Sequence, residues 1–369
     1  MNRKTIIIAI VLILVAIFAF SLKNKSDDTI KIGAVFPLSG FLTSYGEAEK
    51  TATEFAISKI NANGGINGKK IEVIFEDGKC SGKDALTSLK KLVEIDKVDI
   101  VLGGTCSTET LSMAPYAKRE GVLMFTNVSS ASQVSDYQNV FRNTINTYVS
   151  GQILADYINN SEHKRIAILT ENNDYPIDAQ NGVLSNLKIK PVYKSTFAYG
   201  ETDFRTEITK MSVSKPDAVV ILSLMGNSGH FVKQLREFGS NAQIFAVETP
   251  ATPEFKTAAG KYANGIIYAD IPNVESTNND LKPLLAYFES KGIEPIANQI
   301  IGGRFDNIMA LERALTSCGE NNKCIDKYLK SNKFNGILGD FSFDKNGDAL
   351  EIKSIMKEIK NGVSVTIKY

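Results

Sequence analysis

Two short stretches of this chain carry small hydroxyls densely enough to bind something. Residues 105–108 read Thr-Cys-Ser-Thr, and residues 126–132 read Thr-Asn-Val-Ser-Ser-Ala-Ser. Each follows an apolar run (98–102 and 122–125) of the kind that forms a buried parallel strand. The first also opens a helical pattern that runs to Gly121, a suitable C-terminal stop. Hydroxyls at strand ends, beside the free N–H groups of a helix start, suit an anion such as a carboxylate. Capping a helix is the other role open to Ser107 and Ser130. Nucleophilic catalysis would need a base beside the serine. The only histidines, His163 and His230, stand at no strand end, and no Gly-x-Ser-x-Gly elbow occurs. Gly103-Gly104 lacks the dinucleotide fingerprint, and neither histidine neighbours a cysteine or paired carboxylates. The expectation is a binding protein, not an enzyme, with no metal or cofactor.

The surrounding pattern explains how such turns would be positioned. Strands are expected at 29–35, 71–75, 98–102 and 122–125, with helices at 45–63 and 84–96 between them. Alternation of this kind builds a parallel sheet covered on both faces. It restarts with a helix at 149–159 and strands at 165–169, 192–197, 218–222, 243–247 and 265–269. The intervening helices fall at 204–211 and 229–238, and a loop is expected over 170–178. A second series needs a second sheet, so the fold class is α/β with two doubly wound lobes. Further helices are expected at 281–291 and 302–317, then an Asx-rich turn at 344–348 and a hairpin broken at Asn361-Gly362.

With 369 residues there is room for two domains, and 42 basic against 41 acidic residues give no reason to expect nucleic acid. Asn2-Arg3-Lys4 followed by the apolar run 6–20 reads as an export signal. With residues 21 and 22 the run nearly spans a bilayer, so a cleaved signal and a retained anchor are both open. No cysteine follows it that could carry a lipid. Either way the protein is expected to work outside the cytoplasm, in the periplasm or at the cell surface, where disulfides form. Cys318 and Cys324 enclose five residues and pair most simply with each other, leaving Cys80 for Cys106.

Residues 30–85, with their Ser39-Gly40, Tyr45-Gly46 and Ile60-to-Gly68 elements, resemble the opening of a known family. It is that of the extracytoplasmic binding proteins of branched-chain amino-acid ABC importers. The resemblance runs on through Gly103-to-Thr110, Gly121-to-Ser132, the 172–175 segment, Glu248 with Ala258-Ala259-Gly260, and Phe343-to-Asp348. It covers essentially the whole chain after the signal.

The resemblance implies a type I periplasmic binding protein fold with a three-crossover hinge. One lobe would be 28–144 with 272–352 and the other 145–271 with 353–369, after a signal or anchor and linker at 1–27. It also implies the Cys80–Cys106 bridge. For an amino-acid ligand, Ser107 would hold the carboxylate, and Ser130 the carboxylate and ammonium. The Val128 carbonyl and Glu248 would complete the ammonium site. Tyr175 would close over the ligand, while Tyr45, Thr105 and Leu224 would border its side chain. Leu224 and Thr105 depart from the family's tyrosine and large apolar residue, and the position of the family's aromatic near Gln299 to Phe305 stays open, with Arg304 close by. The implied partners are a small amino acid and ABC permease subunits, with membrane contact through residues 6–22 or through the permease. An amide, urea or small aromatic acid is the alternative solute, and an anchored sensor the alternative role.

Overall fold

The computed structural model describes residues 29–368 except 225, 273 and 275–277. The apolar run proposed as signal or anchor therefore lies outside the described residues. Five parallel strands form the first sheet: β1 (Thr29–Phe36), β2 (Lys70–Asp77), β3 (Ile100–Gly103), β4 (Leu123–Thr126) and β5 (Val140–Arg142), in the order β2-β1-β3-β4-β5. Alternation along β1 explains the two covered faces. Ile32, Ala34 and Phe36 join helices Thr43–Ala62 and Asn298–Cys318 in one core. Val35 points the other way, onto helices Gly82–Glu94 and Ser107–Glu120.

The second sheet has β6 (Ile166–Glu171), β7 (Tyr193–Phe197), β8 (Ala218–Leu222), β9 (Gln243–Val247) and β10 (Ile267–Asp270) in parallel. β13 (Ile355–Lys360) and β14 (Val363–Thr366) extend it antiparallel at the β10 edge. The full order is β14-β13-β10-β9-β8-β6-β7, so the hairpin expected at the end of the chain joins the parallel series as its antiparallel edge. Phe204, Phe231 and Phe255 fill one of its faces, each fully buried side chain contributing roughly 1.5–3 kcal/mol. Helices Thr147–Asn159 and Asp174–Asn186 cover the other.

Three passages join the sheets. The chain leaves the first sheet after β5 and comes back after β10 to build helices Lys282–Lys291, Asn298–Cys318 and Asn322–Ser331. After the hairpin β11 (Lys333–Gly336) and β12 (Gly339–Ser342) it crosses again to β13. Arg142, at the first crossing, donates to Asp348 at the third (2.8 Å), to the Ala131 carbonyl (2.7 Å) and to the Ser135 hydroxyl (2.9 Å). One buried guanidinium thus ties two hinge segments to the second hydroxyl turn.

The differences from sequence expectation are local. Three-residue β5 and the seven-residue helix Pro253–Ala259 are too short for periodicity to reveal. The expected loop at 170–178 shrinks to two residues, because β6 runs to Glu171 and a helix starts at Asp174. Both disulfides are present, Cys80–Cys106 and Cys318–Cys324, with Cα–Cα distances of 5.4 and 5.6 Å. The second joins the end of helix Asn298–Cys318 to helix Asn322–Ser331 across the turn between them. Asn361 (φ 51°) and Gly362 (φ 77°) make the tight turn between β13 and β14 that Asn-Gly favours.

Candidate functional site

Ser107 is the first residue of its helix, and Cys106, not a hydroxyl, is the N-cap. The capping work falls to Glu109, whose carboxylate accepts from the backbone N–H of Cys106 (3.0 Å) and of Cys80 (2.9 Å). One buried acid thus holds both half-cystines, and burial pushes it up to about 7. Freed from capping, the Ser107 hydroxyl accepts from the backbone N–H of Ala131 at 3.1 Å, joining the two hydroxyl turns. Ser130 caps nothing either. It is 1% exposed, and its Oγ has no hydrogen-bond partner among the described residues.

Across the cleft, Glu248 follows β9 in a left-handed backbone conformation (φ 50°), and its N–H donates to the Ala269 carbonyl at 2.7 Å. Burial first, then the neighbouring Asp270 carboxylate, push its carboxyl up to about 8, while the Ser150, Tyr175 and Thr147 hydroxyls pull it down. Asp270 ends β10 and pairs with Lys357 Nζ at 2.8 Å, so among the described residues only one of the two acids has a lysine partner. Tyr175 sits on the first turn of helix Asp174–Asn186, its hydroxyl 3.4 Å from the Val247 carbonyl. Burial raises Tyr175, with the Glu248 charge adding to it, so the phenol stays a proton donor. Tyr45 is raised for the same first cause. Its helix is fastened to the end of β1 through Gly46, where a Cβ would stand 2.1 Å from the Pro37 carbonyl oxygen. Leu224 is fixed through its N–H, which donates to buried Glu171 at 2.6 Å.

All eight residues singled out from the sequence line one cavity: Tyr45, Thr105, Ser107, Val128, Ser130, Tyr175, Leu224 and Glu248. Its volume is about 100 Å³, set between the two sheets at the carboxyl ends of β3, β4 and β9. A cavity of about 150 Å³ accepts a benzene ring, so this one suits a small solute. One wall offers hydroxyls and a helix N-terminus, the other two carboxylates, which together suit a small zwitterion.

Arg304 does not line the cavity. It is fully buried, 2.7 Å from Glu49 and over the Phe36 ring, and it donates to the Phe125 carbonyl at 3.1 Å. The Thr105 hydroxyl also donates to Glu49, so this pair fixes the back of the first turn. Gln299 and Ile300 stand at the wall instead, while Phe305 packs on Phe55 at 5.8 Å. Sequence reading missed Asn127, Asn143 and Asp270 as lining residues. Only Asp270 left a signal, an acid ending an apolar strand as Glu248 does.

The lobes touch around the cavity. Ser132 donates to Asp178 through its N–H (2.7 Å) and hydroxyl (2.6 Å), Thr108 to Asp174 (2.7 Å), and Ser44 to Glu254 (3.0 Å).

A fold of two doubly wound lobes with a small polar cavity between them defines a class, the two-lobed solute binders. Residues 29–362 match the periplasmic binding protein family, and the chain belongs to it. Its members are solute-binding transport proteins that work outside the cytoplasm. An amino acid binding protein of Pseudomonas aeruginosa is 29% identical over 330 residues, 86% of this chain and 87% of that one. The Leu/Ile/Val-binding protein of Escherichia coli is 28% identical over 336 residues, 89% and 90% of the two chains. Among solved structures, a branched-chain amino acid transporter substrate binding protein of Streptococcus pneumoniae, in complex with isoleucine, superposes with a TM-score of 0.81. It is 26% identical, with 92% of this chain and all of that one covered. A benzoate complex from R. palustris matches in fold, with a TM-score of 0.82, 19% identity, and 92% and 95% of the two chains covered. No helix among the described residues is long and apolar enough to cross a membrane.

Proposed function

We propose that this chain captures a small amino acid between its two lobes, outside the cytoplasm, and delivers it to the permease of an ABC importer. The observation that carries this reading is the placement of hydroxyls with a helix start on one wall of a cavity and a buried acid on the other. Ser107, Ser130 and the helix start face Glu248 over a space the size of a small solute. In this reading Ser107 holds the carboxylate, Ser130 the carboxylate and ammonium, and Glu248 and the Val128 carbonyl complete the ammonium site. Tyr175 closes over the ligand, and Tyr45, Thr105 and Leu224 border its side chain. A zwitterion sealed from water needs each of these partners, because a buried charge without one costs several kcal/mol. The apolar run 6–22 serves in this account as export signal or anchor, holding the protein near its permease.

A thermal-shift screen tests the class of solute. Ligands that bind only the folded state raise its melting temperature by mass action. The reading expects amino acids with free ammonium and carboxylate groups to do so. Stabilisation by benzoates, amides or urea alone would contradict it.

A further inference from the structure

Three residues that line the cavity carry a buried side-chain oxygen with no hydrogen-bond partner among the described residues: Ser130 Oγ, Asn127 Oδ1 and Asn143 Oδ1. The two asparagines are 5% and 0% exposed. They stand side by side, because each follows directly on a residue of the register pair Thr126–Arg142 that ends β4 and β5. Their orientation is fixed by chemistry. Asn127 Nδ2 donates to the Ile300 carbonyl at 2.8 Å and Asn143 Nδ2 to the Gly303 carbonyl at 2.9 Å. A carbonyl accepts only from the NH₂ end of an amide, so the oxygen is the end left over in both. Asn139, Asn227, Asn307 and Asn322 have an unpartnered Oδ1 of the same kind elsewhere among the described residues, so what marks Asn127 and Asn143 is their place side by side at the cavity wall.

The proposed amino-acid reading, on which this inference rests, already satisfies the ammonium. Its three N–H groups have Glu248, the Val128 carbonyl and the Ser130 oxygen to receive them. The two amide oxygens are surplus to that count. The Thr105 hydroxyl cannot serve them, being committed to Glu49. We infer that Asn127 and Asn143 form a specificity subsite for a hydrogen-bond donor on the solute's side chain. The preferred ligand is then a short hydroxyl- or amide-bearing amino acid of the serine, threonine or asparagine kind, not a purely aliphatic one.

Threonine and valine differ by one hydroxyl in place of one methyl, and asparagine and leucine form a similar pair. Calorimetry on the intact exported protein with both pairs gives the test. A site built around a donor rejects the isostere that lacks it far more strongly than an apolar pocket rejects an added hydroxyl. The inference expects the donor-bearing member of at least one pair to bind tenfold or more tighter than its isostere and to be the best ligand of the four. In Asn127→Ala or Asn143→Ala that ratio should fall toward one. The ratio within one variant does not depend on how much of that variant folds. Valine and leucine each binding as tightly as its partner in the parent protein would overturn the subsite while leaving the amino-acid reading intact, the amide oxygens then being served by buried water. Binding of none of the four, with an aromatic acid or amide binding instead, would remove the amino-acid reading and this inference together.

Discussion

Glu248 carries the most specific electrostatic consequence. Its carboxyl, pushed up to about 8 by burial and Asp270, holds a proton at neutral pH, whereas an ammonium partner requires the carboxylate. Binding an amine-bearing solute must therefore release that proton. Affinity should rise as pH rises from about 6 to 8, by up to about tenfold per unit, and level off above the raised value. Calorimetry in two buffers of different ionisation heat reads the released proton directly, and pH-independent binding of an amino acid would contradict this role for Glu248. Glu248→Gln keeps the shape and removes the charge, leaving an ammonium without its counter-ion at a cost of about 3–5 kcal/mol. Ser107→Ala removes one donor of several and should cost less, about 1.5–3 kcal/mol. Binding by the Gln variant within about threefold of the parent would contradict the ammonium role. Ser107, Ser130 and Glu248 were legible in sequence because each stands where a strand-end pattern and a family motif coincide. Asn127, Asn143 and the Glu49–Arg304 pair were not, since what an asparagine or buried arginine does depends on which backbone the fold brings to it.

Element by element, the site rests on a few connections between short turns. The Cys80–Cys106 bridge and the Glu109 carboxylate fasten the end of β2 to the turn that presents Ser107. Replacing both cysteines by serine should cost about 2–5 kcal/mol of stability. It should weaken ligand binding as well, which melting curves with and without ligand will separate; unchanged affinity would mean that the turn holds its shape through Glu109 alone. Long periodic elements could be read from the chain, as β8 and β9 were to the residue. The boundaries around Tyr175 could not, because a strand running to Glu171 and a helix starting at Asp174 leave two loop residues where the sequence offers several polar ones. β13 and β14 were visible as a hairpin through Asn361-Gly362. Their docking on β10 was not, since edge pairing is a tertiary choice.

At the scale of the whole molecule, the lobes hold each other through side-chain hydrogen bonds around the cavity. Ser132 gives Asp178 two of these bonds, both to a charged acceptor. Asp178→Ala removes them, and losing even one charge-assisted bond costs about 1.5–3 kcal/mol, so solute affinity should fall by about one to two powers of ten. Equilibrium binding checks this, and unchanged affinity would mean that the clasp contributes nothing to closure. A solute held by Ser107 and Ser130 on one side and by Glu248 and Tyr175 on the other favours the closed form by its differential affinity. Small-angle scattering with and without the best ligand of the screen measures that coupling in the intact protein. Bridging of the lobes by the solute predicts a smaller radius of gyration at saturation; an unchanged radius, with binding established by calorimetry on the same sample, would contradict it.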